Sequence, residues 1–122
     1  MSSDGAVEFL RGLGRLGHES RWAKVSGRAR LELTDGERAD RWLIAIDHGA
    51  VTVRHAGGQA DCTIRAEREL FDRLCRGEAN ALSAMLRGEL VCTGDVDLLY
   101  AIQRVFPGPP GAQRRDEENG PR

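Results

Sequence analysis

Three histidines, His18, His48 and His55, and three cysteines, Cys62, Cys75 and Cys92, are the side chains of this sequence best suited to metal ligation, proton transfer near neutral pH or nucleophilic attack. No histidine has a second ligand at HxH, HxxxH or CxxH spacing, so none shares a face with a partner around an ion. The cysteines are odd in number and form no CxxC pair, which fits neither a disulfide framework nor a redox motif. They read as reduced thiols buried as small hydrophobes. Gly12, Gly14 and Gly17 spell GxGxxG, with Asp35 further on. A dinucleotide site, however, needs a buried strand before the first glycine and a crossover helix after the last, so that pyrophosphate rests on the helix N-terminus. VEFLR carries two charges within a helical period, and HESRWAKV is too short for the crossover.

Carboxylates are plentiful, but most alternate with arginines, as in Asp35-Gly36-Glu37-Arg38, Glu67-Arg68-Glu69 and Asp72-Arg73. That is the pattern of solvated helix faces rather than of acid–base pairs. GxSxG, Walker and HExxH motifs are absent. The sequence therefore offers no catalytic residue and no metal or cofactor site, and a non-enzymatic protein is expected.

The elements that would position any site follow from periodicity. Ser3 or Asp4 could cap a first helix with Ala6, Phe9, Leu10, Leu13 and Leu16 on one face, although its three glycines count against it. Residues 28–34 alternate, with Ala29, Leu31 and Leu33 on one side, which predicts a half-buried strand ended by Asp35-Gly36. A second strand over 41–47 carries Trp42, Ile44 and Ile46 on one face, and Leu43 and Ala45 make its other face partly apolar, so it should be central. His48-Gly49 turns into a third strand, Val51 to Val53, and Gly57-Gly58 separates this from a fourth, Cys62 to Ile64. Four strands joined by short turns read as an antiparallel sheet.

From Glu67 the period becomes helical. Leu70, Phe71, Leu74 and Cys75 form one stripe that stops at Gly77, and Leu82, Met85 and Leu86 form another that stops at Gly88. A fifth strand over 89–93 follows, then a helix opened by Gly94-Asp95 with the stripe Leu98, Leu99, Ile102, Val105 and Phe106. Pro107, Pro109 and Pro110 end it, and residues 108–122 are expected to be a disordered tail because Ala112 is their only apolar side chain. Residues 1–107 make one domain in the order α-β-β-β-β-α-α-β-α, an α+β fold with a five-stranded, mostly antiparallel sheet covered by helices.

Bulk properties narrow the partners. Eighteen Lys+Arg against 19 Asp+Glu leave a formal charge of -1, so no global field attracts nucleic acid or an anionic membrane. No apolar run reaches the ~20 residues of a membrane span, and the start lacks a secretory h-region, so a cytoplasmic protein without stable membrane insertion is expected. What remains is apolar surface at regular spacing. Periodicity alone leaves two readings open: a filled core that would make the chain a protein-interaction module, or a pocket between helices and sheet.

The stretch from Asp61 to Phe106 resembles the sterol carrier protein type 2 (SCP2-like) lipid-transfer family. The resemblance lies in Asp61-x-Thr63-Ile64, Phe71 and Leu74 before Gly77, Ala84-Met85, Gly88-x-Leu90 and Gly94-Asp95 at the head of the last helix. It implies a non-catalytic tunnel for a sterol, fatty acid or acyl-CoA, lined by Phe71, Leu74, Leu82, Met85, Leu86, Leu98, Leu99, Ile102 and Phe106 opposite Trp42, Ile44 and Ile46. Gly88 and Gly94 would be structural. Where family members commonly carry basic residues, this chain has Glu89, Val91, Cys92 and Thr93, and no Ser-Lys-Leu ending closes it. A homodimer and a role as the lipid-holding accessory of a neighbouring enzyme are further readings. In the latter, Asp47, His48, Asp61 or Tyr100 would have to project into the cavity.

Overall fold

The computed structural model describes residues 5–106, so Ser3, Asp4, Pro107 and the tail at 108–122 lie outside the described residues. Five strands form one sheet in the order β3-β2-β1-β4-β5. β1 (Ser26–Asp35) and β2 (Arg38–Asp47) make an antiparallel hairpin in which Ala29 opposes Ile44 and Leu31 opposes Trp42. β2 then turns through His48 and Gly49, both at positive φ (51° and 96°), into β3 (Ala50–Arg54). β2 is interior, as its two apolar faces predict.

β4 (Cys62–Glu67) departs from the all-antiparallel arrangement that the short turns suggest: it pairs parallel with β1, on the side away from β2. Register explains why so short a crossover suffices. Cys62 is level with Ala29, Ile44 and Val53, so residues 55–61 need only cross the sheet and not return along it. They cross the outer face, where Arg30 Nη1 donates to the Gly58 carbonyl at 2.9 Å and the segment buries Leu43. The second apolar face of β2 thus serves to seat a connection. β5 (Leu90–Gly94) closes the far edge, antiparallel to β4.

The helices cover the opposite, inner face, where Ala29, Leu31, Leu33, Ile44 and Ile64 are buried. α1 (Gly5–Leu16) forms despite its glycines. At Gly14 a Cβ would stand 3.3 Å from the Cβ of Val53, so this glycine lets the helix lie close on β3. Gly17, at φ 66°, ends it in the left-handed conformation usual for a helix terminator. α2 (Arg68–Cys75) packs beside α1, α3 (Ala81–Leu86) lies against β5, and α4 (Val96–Gln103) spans β1, β4 and β5. α4 stops three residues short of its expected stripe: Val105 and Phe106 follow in a turn, their amides bonded to Ile102 and Gln103.

Candidate functional site

The inner sheet face and the helical layer bring most of the expected lining residues together. Trp42, Ile44 and Ile46 from β2, Phe71 and Leu74 from α2, and Leu98, Leu99 and Ile102 from α4 are all buried in one apolar cluster. Phe106 is half-buried and closes one side of it, its ring 5.2 Å from that of Phe9 and 5.5 Å edge-on from that of Phe71. α3 behaves differently. Leu82 and Met85 are half-buried, and Leu86, expected in the lining, is 86% exposed and points away from the cluster. The cause is length: α3 has six residues, less than two turns, and its buried face is taken by Ala81 and Ala84.

Polar groups hold this layer in place. Asp95 caps α4, its Oδ1 accepting from the Asp97 amide at 3.0 Å, as expected. Asp61 ties three segments: Oδ2 accepts from the Arg28 amide at 2.8 Å, its own amide donates to the Arg28 carbonyl, and its carbonyl accepts from the Asp95 amide. Gly94, at φ 94°, is required there, because a side chain would run into the Asp61 carbonyl. The far end of α4 is held by a 3-10 turn, Ser20–Trp22, that the sequence reading passed over. Trp22 Nε1 donates to the Ala101 carbonyl at 2.7 Å and Arg21 Nη1 to the Arg104 carbonyl at 3.0 Å. A lone tryptophan inside the polar segment HESRWAK is the signal that could have found it, and Trp22 is wholly buried.

Arg21 in turn grips Glu19, with Nε at 2.8 Å from Oε2, and hydrogen bonds from the Arg21 side chain and amide hold the Glu19 carboxyl down at about 2. Asp72 corrects the reading of its pair with Arg73 as solvated charge: it is 2% exposed, and its Oδ1 accepts from the Ala6 amide at 2.7 Å. A carboxylate from α2 thus caps α1. Asp35-Gly36 is the expected turn after the first strand, so Asp35-Gly36-Glu37-Arg38 belongs to the β1–β2 hairpin and not to a helix face.

None of the groups that could do chemistry enters the cluster with a partner suited to it. Burial pushes the Cys62 thiol up to about 12, with neighbouring Cys92 adding to the effect, and burial pushes Cys75 to about 12 as well. Neither is a ready nucleophile. His48 lies exposed beside Asp47 at 2.9 Å, and His55 stacks on Trp42 with ring centroids 4.2 Å apart while bonding Asp40. Asp47, His48, Asp61 and Tyr100 are all exposed. Among the described residues no three His, Cys, Asp or Glu side chains gather where they could hold a metal.

Open depressions flank the core. One of about 380 Å³ runs between α1 and the sheet, lined by Leu10, Arg11, Gly14, Arg15, Trp42 and Val53. Another, of about 540 Å³, lies near the start of β5, between Arg65, Glu67, Leu70, Arg73 and Glu89. The first is mainly apolar and the second carries charges of both signs.

The model of the SCP-2 sterol transfer family matches residues 10–107, most of the chain and every strand of the sheet. The chain belongs to that family. Solved structures agree on the fold. The sterol carrier protein domain 2 of Helicoverpa armigera covers all of this chain and 97% of its own at 18% identity, with a TM-score of 0.67. Palmitated SCP2L2 from Aedes aegypti covers 89% of this chain and 97% of its own at 17% identity, with a TM-score of 0.63. The UbiJ-SCP2 ubiquinone synthesis protein covers 81% and 90% at 18% identity, with a TM-score of 0.61. No curated protein matches.

Within this SCP-2 family chain, three of the four positions that depart from the expected basic pattern lie on the surface, and Cys92 is half-buried against the core. Glu89 pairs with Arg87 at 3.2 Å, Val91 is 49% exposed, and Thr93 is exposed beside it. Among the described residues no helix is long and apolar enough to cross a membrane.

Proposed function

We propose that this chain binds, without covalent chemistry, one long apolar ligand, a fatty acyl chain or a sterol, between the inner sheet face and the layer of α2, α3 and α4. Family membership supplies the class of ligand, and the palmitated Aedes aegypti relative supports an acyl chain within that class. The observation that carries the site is the asymmetry of the layer: α2 and the middle of α4 are buried, while Met85 and Phe106 form a half-open apolar rim over the same cluster, with half-buried Leu82 on the same helix as Met85. Entry moves that rim outward. Trp42, Ile44, Ile46, Phe71, Leu74, Leu98, Leu99 and Ile102 then face the ligand, and Leu86 stays outside the lining. Each buried CH₂ contributes ~0.8 kcal/mol, so about ten of them support an affinity near micromolar before the cost of opening. Trp42 Nε1, the one polar N or O atom these side chains carry, already donates to Asp40 Oδ2 at 3.1 Å, so selectivity is loose, and transfer follows from reversible opening.

The test is native mass spectrometry of gently purified protein, followed by displacement of a fluorescent fatty acid. A bound lipid that palmitate or a sterol displaces one for one is expected. Folded protein with no co-purifying lipid and no saturable binding of the probe contradicts the proposal.

A further inference from the structure

The two edges of the sheet are treated differently. The β3 edge is closed by the chain itself: His18 bridges to Ala50, the Val51 amide donates to the Gly17 carbonyl at 3.0 Å, and the Glu19 amide donates to the Gly49 carbonyl at 2.8 Å. The β5 edge has no such cover. Among the described residues its backbone bonds run to β4, apart from those at its flanking turns. An unpaired edge is a template for another strand unless charge, proline, a bulge or a covering segment blunts it. LVCTG has no charged residue and no proline, and Val91 and Leu86 beside it are among the most exposed apolar side chains of the molecule.

We propose that the β5 edge pairs antiparallel with the β5 edge of a second copy of this chain, about a two-fold axis at Val91. Charge selects both partner and register. Centring the pair on Cys92 would set Glu89 opposite Asp95 of the second copy, two acids face to face. Centring it on Val91 sets Glu89 opposite Thr93, Leu90 opposite Cys92 and Val91 on its own symmetry mate, and brings the Arg87 corner to Asp95. The interface is isologous, so every contact but the Val91 pair on the axis occurs twice. The two sheets become one sheet of ten strands, with the helices of both copies on the same face and the outer faces continuous. Pairing also removes the bare edge without asking anything of the lipid site.

Sedimentation over a concentration series tests this. The wild-type chain is expected to move from monomer to dimer as concentration rises, and Val91→Lys, which sets two ammonium groups against each other across the axis, to remain monomeric with its melting temperature unchanged. Should that variant melt earlier, Thr93→Glu on the same exposed edge, which sets an acid face to face with Glu89 of the second copy, gives the same readout. With Cys92 replaced by serine, Val91→Cys is expected to cross-link two chains on mild oxidation and Thr93→Cys is not. A wild-type chain that stays monomeric throughout, or Val91→Lys and Thr93→Glu variants that dimerise as readily as wild type, overturns the proposal. Loss of dimerisation with lipid binding intact bears on the edge alone.

Discussion

α2 and α3 begin as the same kind of sequence, a short apolar stripe closed by a glycine, and end at different depths. Phe71 and Leu74 of α2 are buried to the last few per cent, and Asp72 reaches out of the same helix to cap α1. α3 is capped by Asn80 and buries two alanines, but its larger side chains sit at the rim or in solvent. The difference teaches that apolar spacing sets which way a helix faces, whereas its length and the size of the side chains it buries set how deep it sits, since α3 has a side-chain cap at its start and α2 has none. In the proposed function α2 serves as scaffold, and α3 with Phe106 is the part that moves.

The largest effect that could break this contrast is a truncation in each helix. Phe71→Ala is expected to lower stability by about 3–5 kcal/mol, Met85→Ala by about 1 kcal/mol, and Leu86→Ala by less than about 0.5 kcal/mol, all measured by denaturant unfolding. Equal losses at Phe71 and Met85 would abolish the distinction. Next comes the cap: Asp72→Ala leaves the Ala6 amide without its acceptor and is expected to cost about 1–3 kcal/mol, with faster amide exchange in α1 and little change in α3.

The order of elements and the buried faces were legible because period and punctuation agree: alternation through β1 and β2, helical stripes after Glu67, glycine and aspartate at the head of α4. Three things were not. The parallel placement of β4 depends on register between strands distant in sequence, and a seven-residue link with Gly57-Gly58 at its middle reads as a hairpin until the level of Cys62 against Ala29 is known. Asp72 looks like any surface acid beside an arginine, because its partner, the Ala6 amide, is 66 residues away. The depth of Leu86 is set by how short α3 is, and a stripe of three residues does not show that. The lining set drawn from the resemblance was accordingly brought together where α2 and α4 supply it and dispersed where α3 does.

The smallest expected effect concerns the fastening of α4 through the Ser20–Trp22 turn. Glu19 is held near 2, below its ordinary value of about 4.5, by its bonds with Arg21. Its folded value is depressed, so its contribution is fully present above the unfolded value and is lost as pH falls from about 4.5 through about 2. The pair is solvent-screened, so no more than a few tenths of a kcal/mol is expected. Glu19→Gln should flatten that part of the melting-temperature profile, and a profile unchanged by it would remove the clasp from the account.

The most direct test of the central claim is a methyl NMR titration of the full chain with palmitate. Saturable shifts are predicted at Leu82, Met85, Leu98, Leu99 and Ile102, largest on the α3 rim and accompanied by a ring-current change as Phe106 moves. Saturation with those methyls unmoved, or with shifts confined to surface positions such as Leu16 and Val91, would contradict it.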